Sequence, residues 1–151
     1  MIGFLYKYIF IITPFTAWLI AQWLKPVFEY WRTGSWNITS AKGSGGMPSS
    51  HSSTMISLTT ILGFARGVHS ELFALALVTS LIVMYDARGV RQAAGSHAAY
   101  LNFIKDELNE LFGHGLTVKG FKTNLGHTSL QVAAGALLGL IIGCIYGFIF
   151  F

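Results

Sequence analysis

The sequence predicts an all-α protein, an integral-membrane helical bundle of about four spans with one amphipathic interfacial helix. Hydrophobic residues make up 53% of its 151 residues and charged residues only 11%, whereas about a quarter of the residues in a soluble domain are charged. The mean hydropathy is correspondingly high, at +0.57. Long apolar runs lie near both ends of the chain. We expect one membrane-embedded domain over residues 1–151.

The first span is predicted over about residues 2–24, long enough to cross a bilayer core of roughly 30 Å. A secretory signal peptide is the alternative, but it requires a basic start, a shorter apolar core and a small-residue cleavage site. The run ends instead in Trp23, Lys25 and Pro26. These features favour a membrane anchor.

Three further spans are predicted over about residues 55–65, 72–85 and 132–151. The first of these crosses a bilayer only if its helix begins near Ser49. Before the last span, residues 97–113 carry apolar side chains at helical spacing opposite a polar face, and Gly113 is placed to end the helix. This pattern predicts an amphipathic helix on the membrane surface or over the bundle.

The distribution of positive charge predicts the orientation in the membrane. Eight of the ten lysines and arginines, Lys25 and Arg32 among them, fall in the loops after the first and third spans, and only Lys7 and Arg66 fall on the other side. Because positively charged loops stay in the cytoplasm, we expect both termini outside, in a plasma membrane of bacterial type. The net charge of +4 is too small, without a basic stripe, to predict a nucleic-acid partner.

The four predicted spans place three polar clusters at the same membrane face. The first cluster is "GGMPSSH", at the start of the second span. The loop around Gly46 can adopt unusual backbone angles, and Ser49 or Ser50 can cap the helix. Free amides and the positive end of the helix dipole suit a phosphate. His51, in the first turn, can donate a proton to a leaving oxygen. The alternative is an ordinary capped helix with an interfacial histidine.

The second cluster consists of Asp86, Arg88 and Arg91 at the end of the third span. Ionisable groups near membrane depth are costly and indicate function, and arginine forms paired hydrogen bonds to phosphate. The alternative is a mutual salt bridge that also anchors the positive side of the membrane.

The third cluster opens the last span, where His127, Gln131, Gly135 and Gly139 are four residues apart and lie along one helix stripe. The glycines allow close packing against a neighbouring helix. Gln131, one turn from His127, can fix which imidazole nitrogen is free. This arrangement suits a nucleophilic or metal-binding histidine, and a structural histidine at a helix end is the alternative.

Together, "GGMPSSHSS", "DARGVRQAAG" and "LGHTSLQVAAGALLG" resemble the divergent branch of the type 2 phosphatidic acid phosphatase and vanadium haloperoxidase superfamily, over nearly the whole chain. The resemblance implies that His127 attacks phosphorus and forms a phosphohistidine, and that His51 protonates the leaving group. It further implies that Ser49, Ser50 and the amides around them contact the phosphate. No metal or other cofactor is expected.

The upstream basic residues of the superfamily are not evident in this sequence. Its first motif, a lysine and an arginine followed by proline, has no counterpart upstream, and Lys42 is too close to His51 to supply it. The arginine expected shortly before the nucleophile is also absent, although Lys119 and Lys122 lie nearby.

Gln131 stands where the superfamily has an acidic residue. A neutral amide can orient His127 but cannot offset the charge of an imidazolium. We therefore expect either weakened nucleophilic catalysis or a different division of labour, in which Asp86 and Arg91 take part.

These observations predict an integral-membrane, phosphatase-like protein that hydrolyses a lipid phosphate or diphosphate without a metal. A non-catalytic binder or translocator of lipid phosphates is the alternative, and it explains Gln131 more directly. A third hypothesis is a scaffold that assembles other membrane proteins through its seams of small residues.

Overall fold

A computed structural model describes residues 6–38, 45–112, 119–123 and 125–151. These residues contain no strand and form five helices: α1 (Ile9–Thr33), α2 (Ser50–Arg66), α3 (Glu71–Arg88), α4 (Val90–Leu111) and α5 (Ser129–Phe150). The predicted all-α class is confirmed.

Each predicted span overlaps a helix, and the predicted membrane bundle is confirmed. Residues 71–111, which contain α3 and α4, are long and apolar enough to cross a membrane, as is α5. The 17 residues of α2 extend only about 25 Å at 1.5 Å per residue. This helix begins at Ser50, next to the position that the sequence required for a span.

The end of α1 differs from the prediction. This helix continues through Pro26 to Thr33, so Lys25 and Arg32 lie in a helix and not in a loop. Membrane helices tolerate an internal proline because other groups satisfy the freed carbonyl. The stop signal is Gly34, whose φ of 72° is the left-handed conformation that glycine adopts at a helix C-terminus.

α2 is the central helix and contacts α1, α3 and α5. Its approach to α5 is so close that a Cβ atom on Gly135 would overlap the Ser49 carbonyl oxygen, and one on Gly139 would overlap that of Ser53. The two backbones are therefore in direct contact, as the glycine spacing predicted. A stripe of small residues is the usual basis of such packing where lipid removes the hydrophobic driving force.

Buried hydroxyls connect α2 to its other neighbours. Ser53 Oγ donates to the Ala17 carbonyl oxygen of α1 at 3.1 Å, and Thr59 Oγ1 lies 2.8 Å from Ser80 Oγ of α3. Within a bilayer a hydroxyl has no water to bond, so these contacts stabilise the bundle.

The amphipathic helix α4 begins earlier than predicted. It starts at Val90, directly after α3, and ends at Leu111, whereas Gly113 lies outside the described residues. Gly95 lies within this helix at a close packing contact, because a Cβ atom there would lie 2.7 Å from the Thr123 carbonyl oxygen of the segment that returns toward α5.

Replacing Gly139 by alanine is expected to destabilise the bundle by about 1–3 kcal/mol, as overpacking of a filled interior does. Thermal unfolding of the purified protein measures the change. Gly120→Ala is the matched control, because the nearest atom to a Cβ there is 3.6 Å away. Equal melting temperatures for the two variants would show that α2 and α5 are not in backbone contact.

Candidate active site

A cavity of about 960 Å³ lies at the end of the bundle where α1 ends and α2 and α5 begin. Its lining comes from the last turns of α1 with Asn37 beyond them, the residues before α2, Gln92 of α4, and the residues leading into α5. The charged side chains of the lining are Lys25, Glu29, Arg32 and Lys122, and its other polar groups include His127 and Gln131. Cations outnumber the one carboxylate, which favours an anionic ligand.

Gln131 fixes the tautomer of His127. Its Oε1 atom lies 3.1 Å from His127 Nδ1 and accepts the backbone N–H of Thr128, also at 3.1 Å. Because the Thr128 amide can only donate, the atom facing both groups must be the amide oxygen. The imidazole then donates from Nδ1, and its lone pair lies on Nε2.

The free nitrogen of His127 is enclosed. The residue is only 3% exposed, and Nε2 has no hydrogen-bond partner of good geometry among the described residues. Burial lowers the pKa of His127, and the charges of Lys25 and His51 lower it further. The hydrogen bond that His127 donates to Gln131 and the nearby Gly46 carbonyl both raise the pKa of His127, but they do not outweigh burial and the neighbouring charges. The neutral, nucleophilic form of the ring is therefore favoured.

His51 lies beside His127, although His51 itself is not among the residues that line the cavity. Their ring centroids are 6.3 Å apart and the ring planes meet at 64°. His51 is exposed and stands in the first turn of α2. The two histidines are thus brought together, as the sequence predicted, although they are far apart along the chain.

Ser49 caps α2, as predicted. Its Oγ accepts the backbone N–H of Ser52 at 3.4 Å and the Ser52 hydroxyl at 3.0 Å, and its own backbone N–H donates to the Gln131 carbonyl oxygen at 3.0 Å. Ser49 and Ser50 are buried, and Gly46 lies in the cavity lining. The capping network therefore ties the start of α2 to the start of α5.

The second predicted cluster lies outside the cavity lining. Arg91 Nε donates to Asp86 Oδ2 at 2.8 Å across a half-exposed ion pair, which is the mutual salt bridge that the sequence left as an alternative. Both charges are near enough to act on the His51 ring. Arg88 is exposed at the end of α3, and no cavity contact brings it to His127.

Two cations of the cavity were missed by reasoning from the sequence. Lys25 is 1% exposed in α1, and Arg32 lines the same cavity. Because the sequence analysis placed both residues in a loop, it did not recognise that they share a helix face. Residues seven apart in a helix lie two turns apart on the same face. A lysine buried in a membrane helix is costly enough to indicate function.

Metal-binding geometry is not evident in the part of the chain that the structure describes. No group of three histidine, cysteine, aspartate or glutamate side chains comes together there.

Comparison with known proteins gives a family. A family model described as "Divergent PAP2 family" matches residues 7–142, a range that contains all three polar clusters. The chain belongs to the Divergent PAP2 family. It is also similar to the uncharacterized membrane protein YuiD of Bacillus subtilis (strain 168), with 28% identity over 151 residues, 93% of this chain and 94% of YuiD. No solved structure matches it. The resemblance inferred from the three motifs is confirmed, and so is the membrane assignment.

In this Divergent PAP2 protein we expect the pKa of His127 to lie below about 6.5, the ordinary histidine value, because burial favours the neutral ring. As pH falls below that value, the unfolded chain takes up a proton that the folded ring resists, so stability decreases. Histidine-selective NMR titration, assigned with His127→Gln, measures the midpoint. A titration midpoint at or above the ordinary histidine pKa would contradict the burial of the His127 ring.

Proposed function

We propose that this protein is an integral-membrane phosphatase that removes phosphate from a lipid phosphate or diphosphate through a phosphohistidine on His127. The observation that carries the proposal is the free Nε2 lone pair of a neutral histidine, held by Gln131 at a cavity lined by cations. The site faces the cytoplasm in the orientation that the charge distribution predicts.

The reaction has two steps. His127 Nε2 attacks phosphorus, and the bond between phosphorus and the lipid oxygen breaks as His51 donates a proton to that oxygen. Water then attacks the phosphohistidine, with His51 accepting its proton, and phosphate and neutral His127 are released. Attack requires about 3–3.5 Å between reacting atoms, and rings with centroids 6.3 Å apart are close enough to contact one phosphoryl group.

Charge around the cavity supports phosphate binding. Lys25, Arg32 and Lys122 supply positive charge within the lining, and amides at the start of α2, with Ser50 and Gly46 beside them, supply donors. In this proposal Arg91 and Asp86 act from outside the cavity lining, near enough for their charges to reach His51. There they select the headgroup without contacting the phosphorus under attack.

A non-catalytic binder or translocator of lipid phosphates is the second candidate, and one observation favours it. The partner of His127 Nδ1 is the neutral Gln131, and the charge of Lys25 acts on the same ring. A positive imidazole is therefore poorly compensated in the first step. In this candidate the cavity still binds the phosphate group, but no phosphate is released.

Purified protein in lipid nanodiscs is expected to release phosphate from phosphatidate or a polyprenyl diphosphate. His127→Ala abolishes release because it removes the nucleophile, and His51→Ala slows it by about 10²–10⁴-fold because it removes the general acid. His69→Ala, an exposed histidine between α2 and α3, is the matched control. Release by His127→Ala at the wild-type rate would refute the mechanism, and binding without release by the wild type would favour the second candidate.

Gln131→Glu is expected to accelerate phosphate release by about tenfold or more. A carboxylate can accept the same two hydrogen bonds, retains the capping box, and stabilises the charged ring by roughly 1.4 kcal/mol more than a neutral amide. Gln131→Leu, which removes both bonds, is the matched control and should release less phosphate than wild type. If Gln131→Glu folds normally and is slower, charge on His127 does not limit the reaction.

A further inference from the structure

A second cavity, of about 380 Å³, lies at the opposite end of the bundle. It is lined by Tyr6, Lys7, Phe10, Ala65, Arg66 and Phe151. Arg66 ends α2, whose first turn carries His51, and Phe151 follows α5, which begins just after His127. The 22 residues of α5 extend about 33 Å, close to the thickness of a bilayer core. This second cavity, the distal cleft, therefore lies at the other membrane face.

Two cations converge on the distal cleft from distant parts of the chain. Lys7 precedes α1 and Arg66 ends α2, and they are the two basic residues that the charge distribution assigns to this face. Arg66 alone has a local explanation, because the last turn of a helix favours a cation. The helix dipole does not explain why Lys7 joins it.

No acidic side chain lines the cleft among the residues that the structure describes. Within the described ranges, the two salt bridges are Arg91–Asp86 and Lys105–Asp106, so neither Lys7 nor Arg66 is in an ion pair there. The two cationic side chains outnumber the one α-carboxylate that Phe151 can carry, and this excess of positive charge favours an anion.

Aromatic rings form the apolar walls of the distal cleft. Phe151 packs against Tyr6 and Phe10, with ring centroids 5.6 and 6.4 Å apart. Tyr6 and Phe151 are about half exposed, and such rings favour the layer between headgroups and acyl chains. A ligand of this cleft therefore meets cations at one end and apolar rings at the other.

We infer that the distal cleft binds an anionic phospholipid of the leaflet opposite the candidate active site. Lys7 and Arg66 bind the headgroup phosphate, and the first acyl carbons lie along Phe10 and Phe151. A free phosphate would leave the aromatic walls without a partner, whereas a phospholipid occupies both parts. The lipid would hold together the start of α1 and the ends of α2 and α5. This inference does not depend on the proposed phosphatase activity.

Photocrosslinking tests the inference directly. Purified protein in detergent is incubated with phosphatidylglycerol carrying a photoreactive group near its acyl-chain start, and crosslinked residues are mapped by mass spectrometry. We expect crosslinks at Phe10 and Phe151, and an apparent affinity at least about tenfold weaker in the double variant Lys7→Gln/Arg66→Gln. Lys105→Gln/Lys119→Gln removes the same charge far from the cleft and should leave these crosslinks unchanged.

Three results would overturn the inference. They are crosslinks at the distal cleft that survive the double variant, equal labelling by a phosphatidylcholine probe, and complete protection by inorganic phosphate at the concentration of the lipid. If the double variant does not fold, the swap Lys7→Arg/Arg66→Lys keeps both charges and should keep the crosslinks. Loss of labelling in a folded swap would contradict recognition by charge. Phosphate release, measured separately, reports only on the candidate active site.

Discussion

The backbone contact between α2 and α5 is the constraint on which the rest of the structure depends. Gly135 and Gly139 leave no room for a side chain beside the carbonyl groups of Ser49 and Ser53, and the Ser49 amide donates to the Gln131 carbonyl oxygen. This contact sets the two helix starts at one level in the bundle. His51 follows Ser49 by two residues, and His127 precedes Gln131 by four, so the two rings lie side by side, with centroids 6.3 Å apart. The backbone contact between the first turns of α2 and α5 therefore brings His51 and His127 together.

A second contact holds His127 from the other side. The backbone N–H of His127 donates to the Ala87 carbonyl oxygen at 2.9 Å. Gly126 has a φ of +84°, and a Cβ atom there would lie 2.5 Å from the Gln92 backbone nitrogen. The junction between α3 and α4 therefore limits where His127 can lie. The enclosed imidazole and the main-chain contacts on both sides leave His127 little room, which is the preorganisation that the proposed nucleophilic role requires.

The sequence was sufficient for much of this arrangement because its signals were local. Glycines four apart predicted the close helix pair, and Ser49 predicted the start of α2. Lys25 was not predicted as a site residue because the first span was expected to end near residue 24, which placed Lys25 in a loop, whereas the helix continues until Gly34 adopts a left-handed backbone. The depth of that lysine depends on how α1 packs against residues 45–47, which no local pattern specifies. The Asp86–Arg91 pair likewise depends on the bend at Gly89, so composition alone left both interpretations of that cluster open.

The central claim is that His127 becomes phosphorylated. The most direct measurement is rapid acid-free quenching of the protein after brief exposure to phosphatidate or a polyprenyl diphosphate, followed by mass spectrometry of the peptide that contains residue 127. The account predicts a phosphate on His127 that appears within the first turnover, disappears as substrate is consumed, and accumulates in His51→Ala if that residue also activates water. Phosphate release with no phosphohistidine at any time, under conditions that preserve a phosphohistidine standard, would contradict it.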